Sequence, residues 1–205
     1  MALLTALLAA ASISVPVPKI EIAEQLFRPL RPAVEGNHSY VMATLNLWVG
    51  PNGRIAQCSV GRAVGMKDLA PRYCSMIVGK RLASPRNEIG KRSHAFVTYT
   101  TSAFAGSLLS QSDEVIQELL AQPNSADPDG YLSVPGIALE KEDYFVLDLA
   151  IDQDGVVTAC QKGTNTPDEL VEAACKAARG RSFAIRQSVK GEAVSYVRSV
   201  ELRLP

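Results

Sequence analysis

The chain has 205 residues, 47% hydrophobic and 20% charged, and its 21 Lys and Arg balance its 21 Asp and Glu. That length admits one domain or two small ones, and beyond the N-terminus no apolar run reaches transmembrane length. Two histidines are few for acid–base work, and a zero net charge gives no chain-wide attraction for a polyanion.

Residues 1–11 are apolar except for Thr5, and Ala9-Ala10-Ala11 offers small residues for signal-peptidase cleavage before Ser12. The segment has no Lys or Arg at its start, and it is too short for a stable membrane anchor. It reads as a secretory signal, assigned to 1–14, with a short apolar helix packed on the fold as the alternative. Residues 15–39 follow as a linker punctuated by Pro16 and Pro18. In it, Ile20, Ala23, Leu26 and Phe27 have helical spacing, and Pro29 and Pro32 end the pattern.

A first unit spans 40–104. Residues 40–49 are rich in apolar and β-forming residues and read as a strand. Pro51-Asn52-Gly53 is a turn, and 54–60 is the returning strand. A helix is expected over 65–82, with Asp68 as N-cap, Pro71 in the first turn, and Leu69, Tyr73, Met76 and Ile77 on one face. Gly90 precedes a third strand at 93–101. The segment 105–143 is an acidic connector, with a helix over 113–122 and a Pro-, Gly- and Asp-rich loop over 124–136. The second unit, 144–205, repeats the plan: strand 144–152, turn Gln153-Asp154-Gly155, return 156–161, helix from about 167 to 180, strand 194–204. Thr166-Pro167-Asp168-Glu169 has the form of a capping box with Pro at the first helical position.

The repeat is explicit at residue level. Leu45-Asn46-Leu47 through Cys58 matches Leu147-Asp148-Leu149 through Cys160 at an offset of 102. Further on, Leu69 matches Leu170, Cys74 matches Cys175, Leu82 matches Phe183 and Gly90 matches Gly191, at 101. The expected fold is α+β: two tandem small units, each a three-stranded antiparallel sheet covered by one helix in the order strand-strand-helix-strand.

Each unit puts one cysteine at the end of its second strand and one inside the helix. The separations are 16 for Cys58 and Cys74 and 15 for Cys160 and Cys175. This placement favours bridges Cys58–Cys74 and Cys160–Cys175, each worth about 3 kcal/mol in the chain-entropy model, a large share for so small a unit. The competing readings are reduced core cysteines, if the N-terminus is no signal, and metal binding. There is no Cys-x-x-Cys, and only His38 and His94 could add imidazole ligands.

The zero net charge conceals an asymmetry. Residues 40–104 carry nine Lys or Arg against Asp68 and Glu88, and 105–139 carry five acids and no base. Either the first unit meets an anionic partner or the acidic connector lies across it; the second is favoured. No cofactor, metal or catalytic residue is expected. A Gly-x-Ser-x-Gly elbow and a phosphate-binding lysine loop are both missing. Asp152-Gln153-Asp154-Gly155 fits a hairpin turn better than a calcium loop, because Ala150 and Gln161 stand where ligands should be. Asp127-Pro128-Asp129-Gly130 reads as a turn. Poor aromatic interleaving among the cations argues against nucleic acid. Trp48, whose counterpart is Ala150, reads as core, with an exposed anchor as the sharper alternative.

The order strand, Asn/Asp-Gly turn, strand, helix, basic element, glycine, strand resembles the TonB C-terminal domain, in two copies. The matching positions are Gly53 and Gly155, Leu69 and Leu170, Lys80-Arg81-Leu82 and Arg181-Ser182-Phe183, and Gly90 and Gly191. The resemblance implies a periplasmic, non-enzymatic module that binds an extended protein or peptide segment by strand addition. The sequence shows no N-terminal anchor or long proline-rich spacer of the kind that couples such a domain to an inner-membrane motor, so energy transduction by this chain alone is not expected. Physically, an open sheet edge recruits an extended segment through unpaired N–H and C=O groups. The candidate edge residues are Phe96, Val97, Tyr99, Val197 and Val200, in the last strand of each unit. A homodimer is another partner such edges admit. The alternative is that the two units pair with each other and act as a structural or assembly factor of the cell envelope.

Overall fold

A computed structural model of the chain describes residues 12–16, 40–104, 127–134 and 145–203. The helices expected at 20–27 and 113–122, and His38, lie outside these residues. The fold is α+β, with two helices and a seven-stranded sheet among the described residues. In chain order the elements are β1 (Tyr40–Val49), β2 (Ile55–Gly65), α1 (Leu69–Ile77), β3 (His94–Phe104), a 3-10 turn (Pro128–Gly130), β4 (Tyr131–Ser133), β5 (Val146–Ile151), β6 (Val157–Lys162), α2 (Asp168–Arg179) and β7 (Tyr196–Arg203).

Two separate three-stranded sheets were expected, and a single sheet is found, in the order β2-β1-β3-β7-β5-β6. The junction is a parallel pairing of β3 with β7: His94 lies opposite Tyr196, Ala95 opposite Val197 and Phe96 opposite Arg198. After Phe96 the two strands part. β4, which the sequence did not suggest, then pairs with the end of β7, Tyr131 to Glu201 through Ser133 to Arg203. Unpaired edges buried in a small protein are costly, and here they satisfy one another.

The helices cover opposite faces. Val41, Ala43, Leu45, Leu47 and Val49 share a core with Leu69, Tyr73 and Ile77 of α1. Trp48 and Phe96 point the other way, into the core under α2 with Leu147, Leu149, Leu170 and Ala174. Parallel central strands with helices on opposite faces relate the two halves by rotation about an axis along the strands. β1 is interior, so it is buried on both faces.

Turn glycines dock each helix exit. Gly53 has φ 78° and Gly155 φ 82°. The Gly53 carbonyl accepts from Leu82 N–H at 2.7 Å, and the Gly155 carbonyl accepts from Phe183 N–H at 2.9 Å. A Cβ at either glycine would collide with the facing carbonyl oxygen. Both disulfides are present, Cys58–Cys74 and Cys160–Cys175, with Cα–Cα distances of 5.5 and 5.7 Å. Each pins the second strand of a half to its helix.

Several local expectations are corrected. β2 runs to Gly65 because its register slips between Thr44 and Leu45, leaving Gly61 as an extra residue, after which pairing resumes. α1 is correspondingly shorter than 65–82, and Gly79, at φ 84°, follows its end. Neither Asp68 nor the Thr166–Glu169 box caps a helix through a side chain. Thr166 is instead buried against β5: its hydroxyl accepts from Val146 N–H at 2.9 Å and donates to Val146 C=O at 2.5 Å.

The N-terminal segment belongs to the fold. Ile13 is 4% exposed and packs with Ala150 and Val197. Its N–H donates to Gln161 Oε1 at 2.8 Å, and Gln161 Nε2 donates back to its carbonyl at 2.7 Å. Ser14 exchanges backbone hydrogen bonds with Arg86. A boundary after residue 14 would cut this strap, whereas cleavage before Ser12 leaves it whole.

Candidate interaction surface

The five edge residues have different fates. β7 is interior, with β5 on one side and β3 and β4 on the other. Val197 and Val200 therefore stand on no free edge, and both are buried. The physical reason is that the second side of β7 is taken by β3 at Tyr196–Arg198 and by β4 at Glu201–Arg203, which leaves no continuous edge for a peptide. Phe96 is the last β3 residue in that junction. Val97 and Tyr99 lie beyond it, where β3 runs on to Phe104 with β1 as its strand partner among the described residues. Val97 faces the α1 core, and Tyr99 is half-buried beside it. The sequence-expected site thus reduces to one stretch of β3.

The fork between β3 and β7 is filled by residues 127–134. Asp127 is fully buried, and Arg198 Nη2 donates to its Oδ2 at 2.7 Å. Thr98 Oγ1 donates to the same oxygen at 2.9 Å, and Arg186 Nη2 lies 3.7 Å from Oδ1. Two guanidiniums thus surround one carboxylate, and both lie over the ring of Phe96. The Arg186 guanidinium lies 4.0 Å from the ring centroid and that of Arg198 5.3 Å. Asp129 accepts from Arg181 Nη2 at 2.8 Å and from Ala184 N–H at 2.7 Å. Arg181 also donates to the Tyr131 carbonyl at 2.5 Å, and Arg62 of β2 donates to the Tyr131 hydroxyl. This segment stitches both halves together.

The stitching corrects the charge expectation for the two described carboxylates of the connector. Asp127 and Asp129 pair with Arg181, Arg186 and Arg198 of the second half, not with the cations of the first. The other acids of the connector lie outside the described residues. The Asp152 carboxylate is likewise used internally, accepting from Asp154 N–H and Val156 N–H at 2.9 Å each. That is the hairpin turn the sequence favoured.

Trp48 closes the seam at one end. It stacks on His94 at 5.2 Å and meets Tyr196 edge-on at 6.0 Å. It is 5% exposed, so it packs in the core. Burial lowers the pKa of His94 below its ordinary value, against a backbone hydrogen bond to Ser195 that raises it. Burial also raises the pKa of Tyr196, against the opposing pull of Arg198 and Arg186. On the α1 face of the second half, burial raises the pKa of Asp148, although Ser199 Oγ donates to it at 2.6 Å.

Among the described residues no group of His, Cys, Asp and Glu could hold a metal ion, and no helix is long and apolar enough to cross a membrane. No family model matches the chain, and no curated protein or solved structure matches it.

Proposed function

We propose that the chain is an exported, non-enzymatic interaction protein of the cell envelope, built from two copies of one TonB-C-terminal-like unit fused into a single scaffold. The observation that carries this reading is the parallel β3–β7 junction, locked by Asp127 and Trp48. It takes the first three residues of β3 and of β7 out of reach of a peptide, and it makes one body of two halves. Two disulfides and the docked Ile13 strap suit an oxidising compartment entered by cleavage before Ser12. The partner is a protein of the envelope, and neither cofactor nor nucleic acid is required.

A second reading keeps strand addition but confines it to β3 beyond Phe96, where Val97 and Tyr99 lie past the junction. Crosslinking capture of the tagged protein in its native envelope, read by mass spectrometry, separates the two. Recovery of soluble envelope proteins, or of the chain itself, supports the scaffold. Recovery of outer-membrane transporters through a photocrosslinker at Tyr99 supports strand addition. Recovery of cytosolic partners contradicts both export and disulfide formation.

A further inference from the structure

Five large apolar side chains are exposed among the described residues: Val78, Ile89, Val156, Ile185 and Val189, at 45 to 68%. All five lie at one end of the sheet. Val78 follows α1, where Gly79 N–H donates to Ile55 C=O at the start of β2. Val156 sits in the β5–β6 turn, Ile89 in the loop entering β3, and Ile185 and Val189 in the loop entering β7. Because β3 and β7 are parallel, their entry loops leave the same end, and both hairpin turns are there too.

The two entry loops are alike. In the first, Asn87 N–H donates to Lys91 C=O at 3.0 Å, Gly90 N–H donates to Asn87 C=O at 2.9 Å, and Gly90 has φ 74°. In the second, Ser188 N–H donates to Glu192 C=O at 2.8 Å, Gly191 N–H donates to Ser188 C=O at 2.9 Å, and Gly191 has φ 83°. Each hairpin thus holds an aliphatic side chain, Ile89 or Val189, out in water.

Cations gather at the same end. Arg54, Lys80, Arg81, Arg86, Lys91 and Arg92 are all exposed there, and Glu88 is the one acid in those loops of the first half. The second half adds Arg179 and Lys190 against Asp152, Asp154 and Glu192, so the positive sector belongs to the first half. Lys80 and Arg81 stand close to Val78 in the chain, Lys91 and Arg92 close to Ile89, and Lys190 next to Val189.

We propose that this pole docks on an anionic phospholipid surface, with Ile89 and Val189 entering the headgroup–acyl boundary and the flanking cations meeting lipid phosphates. The shape favours a bilayer over a protein. The aliphatics stand on separate projecting loops rather than in one concave patch, and a deformable interface accepts several points at once. Apolar apices beside Lys and Arg are the combination that interfacial binding needs, since area burial and attraction to anionic lipid act together.

The test is cosedimentation of the full chain with vesicles of phosphatidylcholine alone, or with about one-third phosphatidylglycerol. Binding is expected to the anionic vesicles only, and to fall as salt rises from roughly 0.1 to 0.5 M. The double variant Ile89→Asp/Val189→Asp should weaken it about tenfold or more, as should Lys91→Glu/Arg92→Glu, with unchanged thermal midpoints. Lys67→Glu/Arg72→Glu, exposed between β2 and the first turns of α1 at the opposite end, should bind as the wild type does. No binding to anionic vesicles at low salt would overturn the proposal. So would equal binding by the Ile89→Asp/Val189→Asp variant, which would mark the pole as a plain polyanion surface for acidic protein or nucleic acid.

Discussion

Arg198 donates from Nη2 to Asp127 Oδ2 at 2.7 Å, and neither side chain is more than 1% exposed. The pair joins the segment ahead of β4 to the middle of β7, across the fork where β3 departs. Removing one partner of a buried pair leaves an uncompensated charge, at a cost of about 3–5 kcal/mol. Asp127→Ala should therefore lose about that much in urea unfolding under non-reducing conditions. The double variant Asp127→Ala/Arg198→Met should lose clearly less than the sum of the two single variants. Strict additivity would show that the two side chains do not act as a unit.

Asp148 makes a pH-dependent contribution whose sign follows from its burial. Burial raises its folded pKa above the ordinary 3.8, so the folded state favours the protonated form. The stability this adds is present below the unfolded pKa and is lost as pH rises through the folded pKa. Asp148→Asn removes the penalty on the buried carboxylate while leaving an oxygen for the Ser199 hydroxyl. It should raise the thermal midpoint at pH 7 and change it little below the ordinary carboxylate range. A lowered midpoint at pH 7 would mean that the charge is stabilising there.

Ile13 is buried among Ala150 and Val197, with its backbone held by Gln161. A chain starting at Ser12 should keep this strap, and one starting at Val15 should lose it. Full burial of an Ile side chain is worth about 1.5–3 kcal/mol, so the shorter chain should be less stable by at least that order. Equal denaturation midpoints would remove Ile13 from the core.

Val197 tests whether β7 is interior. Leu202 N–H donates to Phe145 C=O, so by alternation the Val200 N–H also faces β5, whereas the Val197 N–H faces β3. A proline on a free edge is tolerated, whereas within a sheet it removes a needed donor. Val197→Pro should be less stable than Val197→Ala, by about 1–3 kcal/mol for the orphaned group and more if the strand shifts. Equal stability of the two variants would leave that side of β7 a free edge.

The local features were legible because they are written locally. The Asn-Gly and Asp-Gly turns, the paired cysteines and the apolar face of α1 each lie within a short window. Gly53 and Gly155, matched across the repeat, proved to be hydrogen-bonded to Leu82 and Phe183, which the repeat also matches. What escaped the sequence is nonlocal or too short. β4 is three residues, which carry no readable alternation. The β3–β7 pairing joins residues 102 apart, and both strands read equally well as edges. Asp127 looked like a turn residue, and its arginines lie more than fifty positions later. Thr166 looked like a cap, but the nearby Val146 backbone, known only from the fold, claims its hydroxyl.

The central claim is that two halves form one continuous sheet through β7, and amide hydrogen exchange along Tyr196–Arg203 tests it most directly. In a strand, successive N–H groups point to opposite sides. If β7 lies between β5 on one side and β3 and β4 on the other, amides of both sets should be protected, and those near Tyr196 and Arg198 should open only with the inner strands β1 and β5. Protection of every second amide alone, with the alternate set exchanging as freely as a solvent-exposed edge, would contradict the single sheet and restore two separate units.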